Sequence, residues 1–307
     1  MWCMTEQLSA WDRVQLARNA ARPHALDYIN ELVRDFVEVH GDRLFGDDHA
    51  LVGGIGSFRG RTVIVLGHQK GANTRENIDR NFGMPRPEGY RKALRLVRQA
   101  EKFGLPILTF IDTPAADPGL GSEERGQANA IAENLIAMAA MRIPAIATVV
   151  GEGGSGGALA ISIADRILML ENAIYAVASP EACATILWKD AAQAPAAAEI
   201  LRITAHDLHD FRIADEVIDE PVPAHEQPAA TIRRVGDTIE RHLLEVEKTI
   251  ADEGIEALVA ARYAKYRRIG RWIDEEENAF FPTVPTTFQN GDMAKSTTSE
   301  NTERTPE

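Results

Sequence analysis

Residues 151–160 read "GEGGSGGALA", set between the apolar run "PAIATVV" (144–150) and "ISIADRILML" (161–170). Three motifs fit these letters. Gly151, Gly153 and Gly156 spell G-x-G-x-x-G, with Glu171 twenty residues beyond the first glycine, as in a dinucleotide site. Gly153, Ser155 and Gly157 spell G-x-S-x-G, the nucleophile elbow of serine hydrolases. The third reading needs no side chain: a turn so poor in Cβ atoms that its backbone N–H groups face an incoming oxygen. Working outward, the stretch follows one apolar strand and opens a helix, which places bare amides at the carboxyl edge of a sheet.

The flanking pattern supports such a sheet. From residue 88 to 171 helical and strand periods alternate. "EGYRKALRLVRQAEKFG" leads to "PILTFID", "SEERGQANAIAENLIAMAAM" to "PAIATVV", and "GALAISIAD" to "RILML". Alternation of this kind means an α/β architecture with parallel pairing. In the second helix Glu123 and Glu124 are expected in the first turn, and Ile131, Leu135 and Met138 on the buried face. "AIYAVASPEACATILW" adds a strand and a helix.

Upstream, "LVGGIGSF" and "TVIVLGHQ" flank Arg59-Gly60 as a β-hairpin. Ser9 and Asp12 form the capping box of a short helix. "ALDYINELVRDFVEVHG" is expected to be one helix, with Leu26, Ile29, Val33, Phe36 and Val37 on one face and Gly41 as its stop. After Pro223 only helices are expected, followed by a polar, aperiodic tail read as disordered.

A second turn, "DTPAADPGLGSEERG" (112–126), repeats strand, small-residue turn and helix one unit before the glycines. Two neighbouring turns of this kind suggest a pocket. The dinucleotide reading is the weakest, since its motif belongs in the opening βα unit, and a P-loop fails because no Lys-Ser/Thr follows the glycines. The hydrolase reading has Asp190, His206 and His209 downstream in the right order, but both histidines lie in a polar helical stretch. The backbone reading remains. Preorganised N–H donors accelerate reactions that place negative charge on oxygen, and losing one costs on the order of 10²–10³ in rate.

Composition sets bounds. Over 307 residues the net charge is −13, which argues against a non-specific nucleic-acid or anionic-membrane binder. Arg142 interrupts the most apolar stretch well short of the roughly 20 residues a bilayer needs. No secretory signal is visible. Cys3 and Cys183 make no framework and no C-x-x-C pair, so a reducing, cytoplasmic setting without a zinc ribbon is expected. Against this acidic background, nine Lys/Arg face four Asp/Glu between Lys70 and Lys102, with Arg91, Arg95, Arg98 and Lys102 along one helical face. That face reads as a solvated surface or as a contact for an anionic partner.

"RPHALDYI", "HGDRLFGDD", "VGGIG", "GHQKG", "NFGMPRPEGYRKALR", "FIDTP", "PGLGSEERGQANAIAENL", "GEGGSGGALAI" and "SPEACATILWK" resemble, in order and spacing, the α-subunit family of bacterial acetyl-CoA carboxylase carboxyltransferases, over about residues 10–272. The resemblance implies a crotonase-like (ClpP/crotonase) spiral of ββα units with helical terminal segments. Its parts would be N-terminal helices (1–49), the carboxyltransferase core (50–223), C-terminal helices (224–282) and the disordered tail (283–307). It implies transfer of a carboxyl group from carboxybiotin, held on a biotin carboxyl carrier protein, to acetyl-CoA, giving malonyl-CoA for fatty acid biosynthesis. The partners implied are biotin carboxylase, which brings ATP into the complex, and a zinc-bearing β subunit in an α₂β₂ heterotetramer. No metal is implied in this chain.

For the site, the resemblance implies Gly153 and Gly154 as the amide donors to the biotin oxygen. Gly156 and Gly157 would permit close approach, with Ser155 keeping the turn open. Ala115, Ala116 and Gly119 would form the wall, and Arg91 and Arg95 would meet CoA phosphates. The family form of the first turn is "DTPGAYPG"; this chain has Ala115 for Gly and Asp117 for Tyr. An alanine where φ is positive would be strained, and a carboxylate would oppose an anion site. Alternatives are therefore a longer acyl-CoA such as propionyl-CoA, or a non-catalytic scaffold subunit. A stand-alone hydratase using Glu123 and Glu124 is a further rival.

Overall fold

Arg59 and Gly60 both adopt positive φ, 49° and 83°, and so form the two-residue loop whose twist suits a hairpin. It joins β2 (Leu51–Phe58) to β3 (Arg61–His68) in antiparallel register, as the sequence predicts. The computed structural model to which these elements belong describes residues 8–270. The expected tail (283–307) and the end of the expected C-terminal helices lie outside the described residues, as does Cys3.

β1 (Val33–Glu38) precedes the hairpin, and β4 (Ile107–Thr113), β5 (Ala145–Gly154), β6 (Arg166–Leu170), β7 (Ile174–Ala176) and β8 (Glu216–Ile218) follow. They form one sheet in the order β1-β2-β3-β4-β5-β6-β8, with β7 paired to the far end of β5. The β1/β2 and β2/β3 pairs are antiparallel and the rest are parallel. β4 is buried throughout and β5 as far as Gly153, the run of apolar residues expected where both faces of a parallel sheet are covered. The helices Pro87–Phe103 and Gln127–Ala140 cover one face, and Ala25–Leu32 and Pro228–Glu253 cover the other. No described helix is long and apolar enough to cross a membrane.

Ser9 caps Ala10–Ala17 with the reciprocal Asp12 bond expected of a capping box. Two expected helices are corrected. The one predicted to run to Gly41 stops at Leu32, and Val33–Glu38 is a strand. Its β-branched residues satisfy the free edge of β2, with Asp35 at φ 53° where the register shifts. The helix expected over 122–141 breaks at Gly126, φ 80°, into Leu120–Glu124 and Gln127–Ala140. Glu123 and Glu124 therefore end the short piece, exposed to solvent. On the longer helix Met138 is buried, whereas Ile131 and Leu135 are half-buried.

The C-terminal helix Ile255–Arg267 is clamped to the core by Arg262, which is fully buried. Its guanidinium meets Asp165 at 2.8 Å and the carbonyls of Met141 and Ile143, while Asp165 also accepts the Ala145 N–H that begins β5. One ion pair thus fixes the start of the strand that ends in the glycines.

Candidate active site

β4 and β5 run side by side and end together at the carboxyl edge of the sheet. Their register shifts between Ile111 and Thr113, after which Thr113 pairs with Gly153. Contrary to the expected turn, β5 continues through Gly154, and Gly153 also pairs with Tyr175 of β7. The chain changes direction one residue later, at Ser155, which is exposed and has φ 51°.

This register decides which amides are free. The Tyr175 N–H is bonded to Ile203 O, the Glu152 N–H to Asp112 Oδ1, and Pro114 has no N–H. The ladder then directs the Gly153 N–H to Ile174 O, the Gly154 N–H to Thr113 O and the Ser155 N–H to Ala176 O. The donors expected at Gly153 and Gly154 are thus occupied by the sheet. Gly156 and Gly157 follow in the first turn of Ser155–Leu159, where no helical carbonyl reaches an N–H. That helix has only five residues, so its dipole is small and individual N–H groups matter more.

The two turns touch. A Cβ on Gly157 would lie 2.5 Å from Ala116 N and 2.6 Å from the Ala115 carbonyl carbon, and one on Gly154 would lie 1.9 Å from Pro114 O. Neither position admits a side chain. Gly156 is different: the nearest atoms to its Cβ position are Ile131 methyls at 3.8 and 4.0 Å. The Ala115 N–H is bonded to Thr113 Oγ1, while no acceptor among the described residues takes the Ala116 N–H. Ala115 is not at positive φ, so its methyl strains nothing.

Beneath the glycines lies a charged chain that the sequence reading missed. Asp112 accepts from Lys70 Nζ at 2.7 Å and the Glu152 N–H at 3.0 Å, and meets His24 Nδ1 at 3.1 Å. Lys70 also reaches Glu152 at 3.1 Å, and Arg18 joins Glu152 (2.7 Å) to Glu181 (2.6 Å). Gly151 has room only for hydrogen, because a Cβ there would lie 2.3 Å from Asp112 Oδ1. Burial opposes ionisation of Asp112, but Lys70 and His24 prevail and hold its carboxyl below the usual range. Burial likewise opposes the Lys70 charge, and the two carboxylates raise its pKa. His68 sits beside the Gly157 backbone, fully buried. Burial pushes its imidazole down to about 4, so it is neutral near pH 7. A carboxylate closing the apolar run "PILTFID" was the available signal, since a buried charge requires a partner.

Other expected residues are placed elsewhere. Asp117 accepts from Ser122 Oγ (2.5 Å) and Asn81 Nδ2 (3.1 Å), so its charge is held inside the first turn, and Gly119 is the N-cap of Leu120–Glu124. Arg91 pairs with Asp42 and Glu88, and Arg95 donates to the carbonyls of His40 and Gly41. Together with Arg98 and Lys102 they line a separate cavity of about 430 Å³, not the glycine strand. Gly153 and Gly154 line a small cavity with Arg18, Glu152 and Pro114.

The rival motifs lose their partners. Glu171 accepts the Glu220 N–H and pairs with Arg13, away from the glycines. Among the described residues the histidine side chains bond to Asp112, Asp47, Asp79, Arg241 and Glu216 and none to Ser155, and no group of three or more His, Cys, Asp or Glu is placed to hold a metal ion.

A family model described as acetyl co-enzyme A carboxylase carboxyltransferase-like matches residues 3–270. The chain is 53% identical, over 87% of its length and 83% of the relative's, to the acetyl-coenzyme A carboxylase carboxyl transferase subunit alpha of Geobacter metallireducens. With the same subunit of Aquifex aeolicus it shares 52% identity over 86% of its length and 80% of the relative's. Among solved structures it resembles transcarboxylase 12S, with methylmalonyl-coenzyme A and methylmalonic acid bound. The TM-score is 0.58 at 20% identity, over 89% of this chain and 47% of that one. The β subunit of P. aeruginosa geranyl-CoA carboxylase gives 0.56 at 17% identity, over 76% and 44%. The chain thus spans about half the length of these two structures. At such identity they show the fold, the crotonase-like core of carboxyltransferases.

Proposed function

The chain belongs to the acetyl co-enzyme A carboxylase carboxyltransferase family, and we propose that it serves as the α subunit that transfers a carboxyl group to acetyl-CoA, giving malonyl-CoA. The observation that carries the site assignment is the contact between Gly157 and the 115–116 peptide, which sets two small-residue turns side by side at the sheet edge.

Carboxybiotin on its carrier protein supplies the activated carboxyl group when bound. The residues of the turns fit such a group: Gly156 is not crowded, with only Ile131 methyls at 3.8 and 4.0 Å from its Cβ position, and the donors are neutral amides that need no metal. The N–H groups of Gly156, Gly157 and Ala116 are the donors we assign to the oxygen on which charge develops. They are in place before the reaction, so no reorganisation is needed as charge appears. Gly153 and Gly154 act as the rigid floor, and Lys70, Asp112 and Glu152 lock that floor in register. Ser155 stands exposed at the mouth. The substrate is taken as acetyl-CoA because the named relatives act on it, and Asp117, the residue that suggested a longer acyl chain, is engaged within its own turn.

The reaction requires a β subunit, read as zinc-bearing and assembled as α₂β₂, together with biotin carboxylase and the biotin carrier, in the cytoplasm. An apolar surface beside the site supports a docked partner. Val177 is 78% exposed directly after β7, and Ile186, Leu187 and Trp188 are exposed at the end of Pro180–Trp188. Arg98 and Lys102, both exposed, extend the basic face proposed to meet CoA phosphates.

Co-purification with the cognate β subunit, followed by malonyl-CoA decarboxylation in the presence of free biotin, tests the reading. A biotin-dependent rate from the complex, absent from either subunit alone, is expected. A rate from this chain alone, or one indifferent to biotin, would overturn it.

A further inference from the structure

The helix Pro87–Phe103 spaces Arg91, Arg95, Arg98 and Lys102 by four, three and four residues, so their side chains share one face. Like charges so spaced repel unless groups of opposite sign stand among them. Arg91 has that compensation. Its guanidinium donates to Asp42 at 2.8 Å, to Glu88 at 3.1 Å and to the Arg125 carbonyl at 3.0 Å, which commits all three nitrogens. Among the described residues the ion pairs of this helix involve Glu88, Arg91 and Lys92. Arg98 and Lys102 take none, and both are exposed. Arg95 is half-buried. Its Nη2 donates to the carbonyls of His40 and Gly41, while its Nε is buried with no acceptor among the described residues. Burial and the like charge of Arg43 hold its pKa below the ordinary arginine value, the mark of a cation short of a counter-ion.

These cations line the cavity of about 430 Å³ together with two leucines, Leu94, which is buried, and Leu44, which is 79% exposed. The Leu44 wall is fixed in advance, because Asp42 Oδ1 accepts the N–H groups of Leu44, Phe45 and Gly46 at 2.9, 2.8 and 3.0 Å. Asp42 is spent on those amides and on Arg91. Glu133 is then the one lining carboxylate left to offset Arg95, Arg98 and Lys102. A merely solvated face needs neither a braced apolar wall nor a buried guanidinium nitrogen without an acceptor. Convergent cations beside apolar walls in a concave site suit a phosphorylated nucleotide, its phosphates on the cations and its base against the leucines. We propose that this cavity is a nucleotide-phosphate site, with Arg98 and Lys102 on the phosphate oxygens and Arg95 as the more buried cation behind them. Arg91, already committed, is not among its ligands. The site stands apart from the glycines. The Asp117 N–H donates to Pro85 O, just before the helix begins, and Arg98 and Lys102 lie about 16–23 Å along the helix axis from Pro87. Two sources carry this chemistry, the 3′-phospho-ADP end of CoA and a free nucleoside diphosphate. The first rests on the carboxyltransferase reading above, and the second does not.

The test uses the complex of this chain with its β subunit, in phosphate-free buffer of low salt. Binding of ADP and of CoA is measured by titration calorimetry on three proteins: wild type, Arg98→Gln/Lys102→Gln, and a charge-matched control, Arg267→Gln/Arg268→Gln, at the end of the C-terminal helix. Loss of the two charge-assisted contacts should weaken binding by roughly tenfold or more, while the control stays near wild type. Weakening of both ligands supports a site that CoA and free nucleotides share. Weakening of CoA alone identifies CoA as the source, and weakening of ADP alone identifies a free nucleotide. The thermal midpoint should hold, because both replaced side chains are exposed. Three results overturn the proposal: a wild-type complex that binds neither ligand, affinities unchanged in Arg98→Gln/Lys102→Gln, or an equal loss in the control, which would mean that net charge alone acts. Failure of the carboxyltransferase reading shows separately, as a wild-type complex without biotin-dependent malonyl-CoA decarboxylation, and leaves the ADP result to decide the cavity.

Discussion

The α-carbon of Gly157 rests on the peptide joining Ala115 to Ala116, so closely that a methyl group on it would lie 2.5 Å from the Ala116 nitrogen. This contact joins turns more than thirty residues apart and brings their unpaired N–H groups to one mouth. Gly157→Ala should therefore push the first turn away. We expect a stability loss of about 1–3 kcal/mol, typical of overpacking against an unyielding neighbour, together with a large drop in carboxyl transfer. Chemical denaturation of wild type and variant measures it, and equal midpoints would show that the turns are not in contact.

The hairpin, the Ser9 cap, Pro87–Phe103 and the parallel strands β4 and β5 were legible in the sequence, because periodicity and turn chemistry there agree with the tertiary fold. Misread stretches are those where tertiary pairing outweighs local pattern. Val33, Phe36 and Val37 match a helical face, yet the edge of β2 takes them as a strand. The glycines looked like a turn because glycine usually marks one. Here Gly153 and Gly154 are small so that Tyr175 and Pro114 can approach a continuing strand. Asp117 looked misplaced because its partners, Ser122 and Asn81, are set by the fold. The charged chain from Asp112 to Glu181 spans residues far apart in sequence and has no periodic signature.

Lys70 neutralises two buried carboxylates at once. Replacement by methionine keeps the bulk and removes the charge, and should destabilise the fold by about 3–5 kcal/mol at neutral pH. In wild type the depressed pKa of Asp112 adds stability above the unfolded value of about 3.9, and that stability is lost as pH falls through the lower folded value. The deficit of Lys70→Met should accordingly shrink as the medium is acidified and the orphaned carboxylates take up protons. Denaturation at a series of pH values checks this, and a deficit independent of pH would contradict it.

His68 gives a second pH signature. Its folded pKa of about 4 lies below the unfolded value near 6.5, so its contribution is complete above pH 6.5 and is lost as pH falls from there to 4. A loss of about 3 kcal/mol is expected over that window. His68→Asn should lack this part of the slope whatever its absolute stability. Identical slopes in the two proteins would mean that His68 is not held neutral by burial.

Gly156 offers the most direct measurement, because a side chain there has space within this chain, its Cβ in ordinary contact with Ile131 methyls at 3.8 and 4.0 Å. If that space admits the reacting group to the turn amides, Gly156→Val in the intact complex should lower biotin-dependent malonyl-CoA decarboxylation by about 100-fold or more while the thermal midpoint holds or rises. A folded, assembled Gly156→Val complex turning over at the wild-type rate would contradict the account.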